Sequence, residues 1–360
     1  MMPSLFDPIQ VGAISAANRI FMAPLTRGRA TNEFVPTSIM VEYYAQRAGA
    51  GLIISEASPI SVEGAGWPYS AGIWNDKQVE GWKPVTEAVH KAGGRIICQL
   101  WHMGRIVHPD FLDGKPGVSA SATIAPDYAY TYKGKKPYER ARALGVEEIP
   151  RILNDYANAA KNAMRAGFDG VQIHAANGYL IDQFLREGSN FRSDQYGGSV
   201  ENRVRLLDEV TGAVVDAIGA DRTAVRLSPN EPIQGVYDNK PVPLFTEAAK
   251  RLSAHKIAFL ELREPGSNGT FGRGVHPPVA PDIQKAFKGP LVLNSDYTEE
   301  MGQKILDEGK ADAVAYGRPF ITNPDLVQRF REHLPLRPMA DMKYWYGKGP
   351  ESLEGYLQFS

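Results

Sequence analysis

His174, Asn177 and Tyr179 stand close together directly after a short apolar run, Gly170 to Ile173. An imidazole and a carboxamide can both donate hydrogen bonds to negative charge developing on a substrate oxygen. A phenol, with an unperturbed pKa of ~10, still holds its proton at neutral pH and can give it up to a carbanion. Gly178 lets the backbone turn sharply inside the group. The run is β-branched and follows a turn, Phe168–Gly170, so it reads as a buried strand whose end carries the polar trio. A single histidine at such a place is more often a structural residue, and a tyrosine there often only packs. The three together form a cluster that can hydrogen-bond and carry a proton.

The rest of the chain must position that strand. Short apolar runs recur at Ile20–Leu25, Leu52–Glu56, Ile96–Leu100, Val171–His174, Ala224–Leu227, Phe259–Leu262, Leu291–Asn294 and Ala313–Tyr316. Near-continuous apolar strands separated by helices imply a parallel sheet covered on its outside, and eight such units predict a closed (β/α)8 TIM barrel. Ser199 is placed to cap a helix on which Val200, Val204, Leu207, Val210, Val214 and Ile218 share a face, with Gly219 as its stop. Pro150 opens another, with Ile152, Leu153, Tyr156, Ala160 and Met164 on one side and Gly167 at its end. Trp82–Ala92 and Phe245–Ala254 are weaker helical patterns. Two parts exceed a minimal barrel. Phe6 to Ile14 alternates as a hairpin would and is expected to cap the barrel bottom. Residues 102–148 form a long excursion after strand three, on the face where barrels carry their active sites. No interdomain linker is visible, so residues 1–360 read as a single domain.

Composition bounds the function classes. The 360 residues carry 40 basic and 41 acidic side chains, a formal net charge of −1. That balance argues against nucleic acid or a charged membrane surface as partner. Met1–Gln10 lacks the charged and apolar regions of a signal peptide, and no apolar run nears the ~20 residues of a membrane helix. The one cysteine, Cys98, excludes an intrachain disulfide and reads as an inert core thiol. A soluble, cytoplasmic enzyme acting on a small molecule is expected, with monomer and dimer both open.

The C-terminal strand ends of a barrel carry its chemistry. Here they offer Pro24, Leu25, Thr26 and Arg27; Glu56 and Ala57; Gln99, Trp101 and His102; His174, Asn177 and Tyr179; Arg226 and Asn230; Asn294, Ser295 and Asp296; and Gly317 with Arg318. No paired-ligand histidine spacing suggests a metal, and no Walker loop, nucleophile elbow or glycine-rich dinucleotide motif follows a strand. Arg318 after Gly317 lies where barrels commonly hold phosphate. A phosphate-bearing cofactor with a large polar ring could take Gln99, Arg226 and Thr26 as edge partners, and flavin mononucleotide (FMN) suits that inventory. An arginine inside a barrel needs an anion or dipoles around it, which supports the same reading.

These residues also carry a resemblance. Asn18–Arg27 (NRIFMAPLTR), Glu42–Arg47 (EYYAQR), Gln99–Arg105 (QLWHMGR), Gly167–Leu180, Asp194–Arg203 (DQYGGSVENR) and Tyr316–Phe320 (YGRPF) resemble the old yellow enzyme family of flavin-dependent ene-reductases, essentially end to end. The resemblance implies an FMN barrel in which NADH or NADPH reduces the flavin. Reduced flavin then gives a hydride from N5 to the β-carbon of an activated alkene, an unsaturated carbonyl or nitro compound, with a proton added at the α-carbon. It implies that Pro24, Leu25, Thr26, Ala57, Gln99 and Arg226 contact the flavin ring and that Ser295, Asp296, Gly317 and Arg318 hold its phosphate. His174 and Asn177 would bind the substrate oxygen, Tyr179 would supply the proton, and Trp67, Trp101 and Tyr346 would shape the pocket. Two departures are visible. Thr26 stands where the thermostable branch has cysteine, and Ser295 where many members have glycine. Alternatives are a flavin-binding or redox-sensing barrel without catalysis, and nitro or nitrate-ester reduction as the main activity. A barrel aldolase or isomerase would need a strand-end lysine or carboxylate base, and no strand end offers the lysine.

Overall fold

Eight parallel strands pair in a ring, and the ring closes when the last strand pairs with the first. The structure, a computed structural model, describes residues 2–359. The barrel strands are β1 (Ile20–Met22), β2 (Leu52–Pro59), β3 (Ile96–Trp101), β4 (Val171–His174), β5 (Thr223–Leu227), β6 (Phe259–Arg263), β7 (Leu291–Asn294) and β8 (Ala313–Tyr316). Closure pairs Val314 with Ile20 and Tyr316 with Met22. The eight predicted runs are the eight strands, with small shifts at their ends. β1 stops earlier than its apolar run because Pro24 has no N–H to give; Ala23 makes the last bond, to the Tyr316 carbonyl at 2.9 Å. β2 runs longer, and its register with β3 slips between Ile54 and Ala57. That bulge turns Ala57 inward beside Gln99 while Glu56 meets Tyr44 Oη at 3.2 Å outside the ring.

A principal helix follows each strand: α1 (Ser38–Ala45), α2 (Asp76–Lys91), α3 (Ile149–Arg165), α4 (Val200–Ile218), α5 (Pro241–His255), α6 (Ala280–Ala286), α7 (Glu299–Asp307) and α8 (Leu326–Arg331), with additional short helices at Leu180–Leu185 and Pro319–Thr322. The Ser199 hydroxyl accepts from Asn202 N–H at the start of α4, and Gly219, at φ 96°, ends it. Pro150 sits in the first turn of α3, where its missing N–H costs nothing. α2 begins a full turn and a half before the Trp82 pattern, because Asn75 and Gln78 cap one another's backbone N–H groups. Apolar faces of these helices bury against the outward side chains of the strands, among them Ile53, Cys98, Ile173 and Leu260.

The N-terminal hairpin pairs Ile9–Val11 with Ile14–Ala16, a few residues later than the Phe6–Ile14 pattern suggested. Phe6 packs on the outer core instead. Val11 and Ile14 join the inward residues Phe21, Leu52, Ile97, Ala224, Phe259 and Val292 in a separate apolar cluster, which plugs the bottom of the ring as expected. The excursion after β3 has secondary structure of its own. It contains an antiparallel hairpin, Tyr128–Thr131 with Gly134–Pro137, and a short parallel pair, Val118–Ser119 with Arg142–Ala143. The hairpin leans over the mouth of the barrel, where the Tyr130 ring lies 5.2 Å from that of Trp67. Among the described residues no helix is long and apolar enough to cross a membrane.

Candidate active site

Above the apolar plug the barrel interior turns polar. Alternation along the strands sends Gln99, Gln172, Arg226, Glu261 and Asn294 inward, all at most 8% exposed. They form one chain. Gln99 Nε2 donates to Gln172 Oε1 (2.7 Å), and Gln172 Nε2 donates to Glu261 Oε2 (2.6 Å). Arg226 pairs with Glu261 (Nε to Oε1, 3.1 Å) and donates from Nη2 to Asn294 Oδ1 (2.7 Å). Asn294 Nδ2 donates to the Ala315 carbonyl (2.7 Å). Burying a charge is tolerable only when it is paired and bonded; Arg226 and Glu261 meet as an ion pair, and Asn294 and Gln172 hydrogen-bond to their other atoms.

One level higher stand the ends of β3, β4 and β6. The His174 ring is 3% exposed and lies edge-on to Tyr179, with ring centroids 4.9 Å apart; Tyr179 is also edge-on to Trp101 at 4.9 Å. His174 Nδ1 accepts from the Ala176 N–H (3.3 Å). Burial first, then the charges of Arg226 and Arg263, hold this imidazole well below the usual histidine pKa. It is therefore neutral, its proton is on Nε2, and Nε2–H is a donor. Asn177 sits in the left-handed region at φ 59°, which asparagine accepts more readily than most residues. Its N–H donates to Ser228 Oγ (2.8 Å) and its carbonyl accepts from Gln234 Nε2 (2.7 Å). Its side-chain oxygen accepts from Arg263 Nη1 (3.3 Å), which leaves the NH2 group free to donate. Burial pushes the Tyr179 phenol above its ordinary pKa, with a hydrogen bond from Gln234 opposing, so the phenol keeps its proton.

A cleft of about 780 Å³ opens beside this group, within the usual range of roughly 300–1,000 Å³ for small-molecule sites. Pro24, Leu25, Thr26, Asn177, Arg226, Ser295, Asp296, Gly317, Arg318 and Tyr346 all line it. Among the described residues the backbone N–H groups of Ser295, Asp296, Gly317 and Arg318 have no protein acceptor. A Cβ on Gly317 would meet Leu25 Cδ2 at 3.4 Å, so the backbone there lies close against the cleft floor. The Asp296 carboxylate faces Arg318 and takes bonds from Thr270 N–H (3.1 Å) and Oγ1 (2.6 Å). Only the backbone of Asp296 is left for an anion, which narrows the role that resemblance gave it.

The far wall of the cleft comes from the end of the chain. Arg27 donates to the carbonyls of Trp345 (2.7 Å) and Gly355 (2.7 Å), and Arg29 to those of Ser352 (3.1 Å) and Glu354 (3.1 Å). Tyr356 stacks on Tyr43 of α1 with centroids 4.2 Å apart and planes 2° from parallel. This anchoring places Tyr346 on the cleft, 4.9 Å from the Trp67 ring.

Of the residues singled out in the sequence, Ala57, Gln99, Trp67, Trp101, His174 and Tyr179 do not line the cleft itself. Ala57 and Trp101 form an adjoining apolar cluster with Trp67 and Tyr179 against it, and His174 is joined to that cluster through the Trp101 and Tyr179 rings. Sequence reasoning missed Gln172, Glu261 and Arg263. The signal was present in β6: Glu261 and Arg263 alternate with Leu260 and Leu262, and a charge inside a buried strand must be matched by another across the ring.

Ser295 carries φ 135°, a region that disfavours any Cβ, and Asp296 follows at φ 47°. The backbone conformation explains why glycine suits position 295. Ser295→Gly should raise stability by about 1 kcal/mol, read as a higher denaturant midpoint at unchanged slope. A lower midpoint would show that the serine side chain outweighs the strain.

Comparison with known proteins agrees with this geometry. Residues 4–337 match the model of the NADH:flavin oxidoreductase / NADH oxidase family. The structure of the old yellow enzyme homologue from Zymomonas mobilis superposes with a TM-score of 0.97 at 59% identity, over 99% of both chains. That of morphinone reductase in complex with tetrahydroNAD superposes with a TM-score of 0.93 at 43% identity, over 99% of this chain and 97% of the other. The sequence of 12-oxophytodienoate reductase 7 from Oryza sativa subsp. japonica is 40% identical across 99% of this chain and 94% of the relative. The chain therefore belongs to the NADH:flavin oxidoreductase / NADH oxidase family, as an FMN-dependent old yellow enzyme type oxidoreductase.

Proposed function

We propose that the cleft holds FMN, and that His174, Asn177 and Tyr179 bind and protonate the substrate. The overall reaction is that of the family: NAD(P)H-dependent reduction of the C=C bond of activated alkenes. The site fits the cofactor. The acceptor-free N–H groups of Ser295, Asp296, Gly317 and Arg318 form an anion cradle beside the Arg318 guanidinium, as a phosphate requires. Pro24, Leu25 and Thr26 form a floor, and Arg226 brings a positive charge to the polar end of the cleft, with Ala57 and Gln99 paired in register just behind the lining. The chemistry FMN supplies when bound is hydride transfer, taken from NAD(P)H and delivered to the alkene β-carbon.

This chain's residues do the rest. Negative charge grows on the carbonyl or nitro oxygen as the β-carbon is reduced. His174 Nε2–H and the Asn177 NH2 are fixed, buried donors for that oxygen, so they stabilise the transition state more than the ground state. Tyr179 Oη gives its proton to the α-carbon. Trp67, Trp101 and Tyr346 wall the site and set which alkenes fit. The observation that carries the reading is the neutral His174 beside Asn177, whose amide oxygen is already occupied; both then offer only donors. We read residues 1–360 as one FMN-binding domain, and we place the enzyme in the cytoplasm, where its single buried cysteine needs no oxidising partner.

The reading is tested by the visible spectrum of the purified protein, titrated with a simple phenol. Flavin bands with a new long-wavelength charge-transfer band are expected, and the new band should be lost in His174→Ala. Flavin bands with no phenol response would sink the substrate-site assignment, and a colourless protein that takes up no FMN would sink the cofactor assignment. Tyr179→Phe should slow alkene reduction by roughly 10²–10⁴-fold and leave flavin reduction by NADPH near the wild-type rate. Equal rates of alkene reduction would remove Tyr179 as the acid. Since the folded His174 titrates well below the ordinary 6.5, kcat/KM should show no loss as pH falls from 8 through 6.5. The unfolded chain takes up that proton below about 6.5 and the folded one does not, so this residue weakens stability toward acid. An inflection near 6.5 that disappears in His174→Asn would contradict the neutral-donor account.

A further inference from the structure

Asn177 is held by its backbone at two points, Ser228 Oγ on its N–H and Gln234 Nε2 on its carbonyl. Neither fixes the side-chain amide, which could turn and present oxygen to the substrate instead of NH2. An amide oxygen facing a developing oxyanion would repel it. Some group must choose the orientation. Arg263, at the inward end of β6, is 6% exposed and lines the cleft. Its Nη1 donates to Asn177 Oδ1 at 3.3 Å, and its Nη2 donates to the Phe271 carbonyl at 2.7 Å. Glu231, 2% exposed, forms an ion pair with the same Nη1 and so also holds the guanidinium in place. A guanidinium has donors only, so the oxygen of Asn177 must face it and the NH2 must face away.

We propose that Arg263 is a positioning residue for the reaction: held by Glu231 and the Phe271 carbonyl, it locks the Asn177 amide with its NH2 toward the substrate oxygen. The inference rests on the reading of Asn177 as a substrate donor. A second observation agrees with it. After burial and Arg226, the same guanidinium adds to what keeps His174 unprotonated. The pair Arg263–Glu231 serves no fold element that lacks other support. β6 already bonds to β5 and β7 along its length, with Arg263 itself opposite Asn294.

The test is a mutant cycle read by phenol affinity, with alkene kcat and KM beside it, on enzyme carrying its FMN. Arg263→Met should weaken phenol binding by roughly 10–100-fold, as expected when a charge-assisted hydrogen bond that orients a donor is lost. Asn177→Ala should lose a similar factor, and the double variant should lose no more than Asn177→Ala alone, because both changes remove one device. Arg263→Lys, which keeps a charge and a donor, should recover part of the affinity. If removal of the arginine leaves Glu231 uncompensated and the protein fails to fold, Arg263→Met with Glu231→Gln removes the pair together and takes its place in the cycle. Losses that add, or an Arg263 variant with wild-type affinity while Asn177→Ala is impaired, would overturn the proposal and leave the Asn177 assignment standing. Unchanged affinity in Asn177→Ala itself would bring down that assignment, and this proposal with it.

Discussion

A charge can sit in the middle of a barrel only if the barrel answers it. Arg226 and Glu261 face each other inside the ring, and the amides of Gln99, Gln172 and Asn294 take up the groups that remain. Water is excluded below by the apolar plug of the N-terminal hairpin and outside by eight helices. In such surroundings breaking a buried pair by removing one partner typically costs ~3–5 kcal/mol. The register of β3 through β7 is tied to this chain of bonds, since a slip by one residue would turn every member outward. The candidate active site stands directly above that layer. His174 stands at the end of a strand whose inward Gln172 belongs to the layer, and Asn177 in the loop just beyond is tied to Ser228 and Gln234.

A second set of buried cations works differently. Arg27, Arg29 and Arg47 are each at most 1% exposed, and among the described residues none forms an ion pair with a carboxylate. Backbone carbonyls and the faces of Tyr43 and Tyr356 take that place, with Arg47 3.7 Å from the Tyr43 ring centroid. Glu56 lies in the same cluster, and burial pushes its carboxyl up to about 7. Aligned carbonyl dipoles can satisfy a delocalised guanidinium with less desolvation than an ammonium would need. The result is a joint between the loop after β1, which lines the cleft, and the last stretch of chain, which walls it.

How much of this could be read in the sequence divides along physical lines. Apolar runs of β-branched residues are decided locally, and all eight appeared as strands. Ser199, Pro150 and Gly219 act through their own backbone bonds, so the ends of α3 and α4 were legible. The trio His174, Asn177 and Tyr179 could be picked out as a cluster because its members are close in sequence; the role proposed for it rests on the geometry of the site. The polar layer was not, because Gln172, Glu261 and Asn294 meet only through the curvature of the sheet. Arg263 was invisible for the same reason: its partners come from loops after β4, β5 and β6. Asp296 was read as an anion-site residue, yet its side chain proved committed to Arg318 and Thr270, a pairing that depends on the path of two separate loops.

The joint made by Arg27 has a consequence for the order in which the molecule can be built. Its guanidinium waits for the Trp345 carbonyl, 318 residues further along. β1 likewise waits for β8 before its edge on that side is satisfied. During synthesis the first strand therefore leaves the ribosome with an open edge and no partner on that flank until nearly the whole chain exists. Long-range closure of this kind is slow and exposes apolar surface while it is pending. A shortened chain lacking its last twenty residues would emerge without the wall that carries Tyr346, and with two cations, Arg27 and Arg29, stripped of the carbonyls of Trp345, Ser352, Glu354 and Gly355.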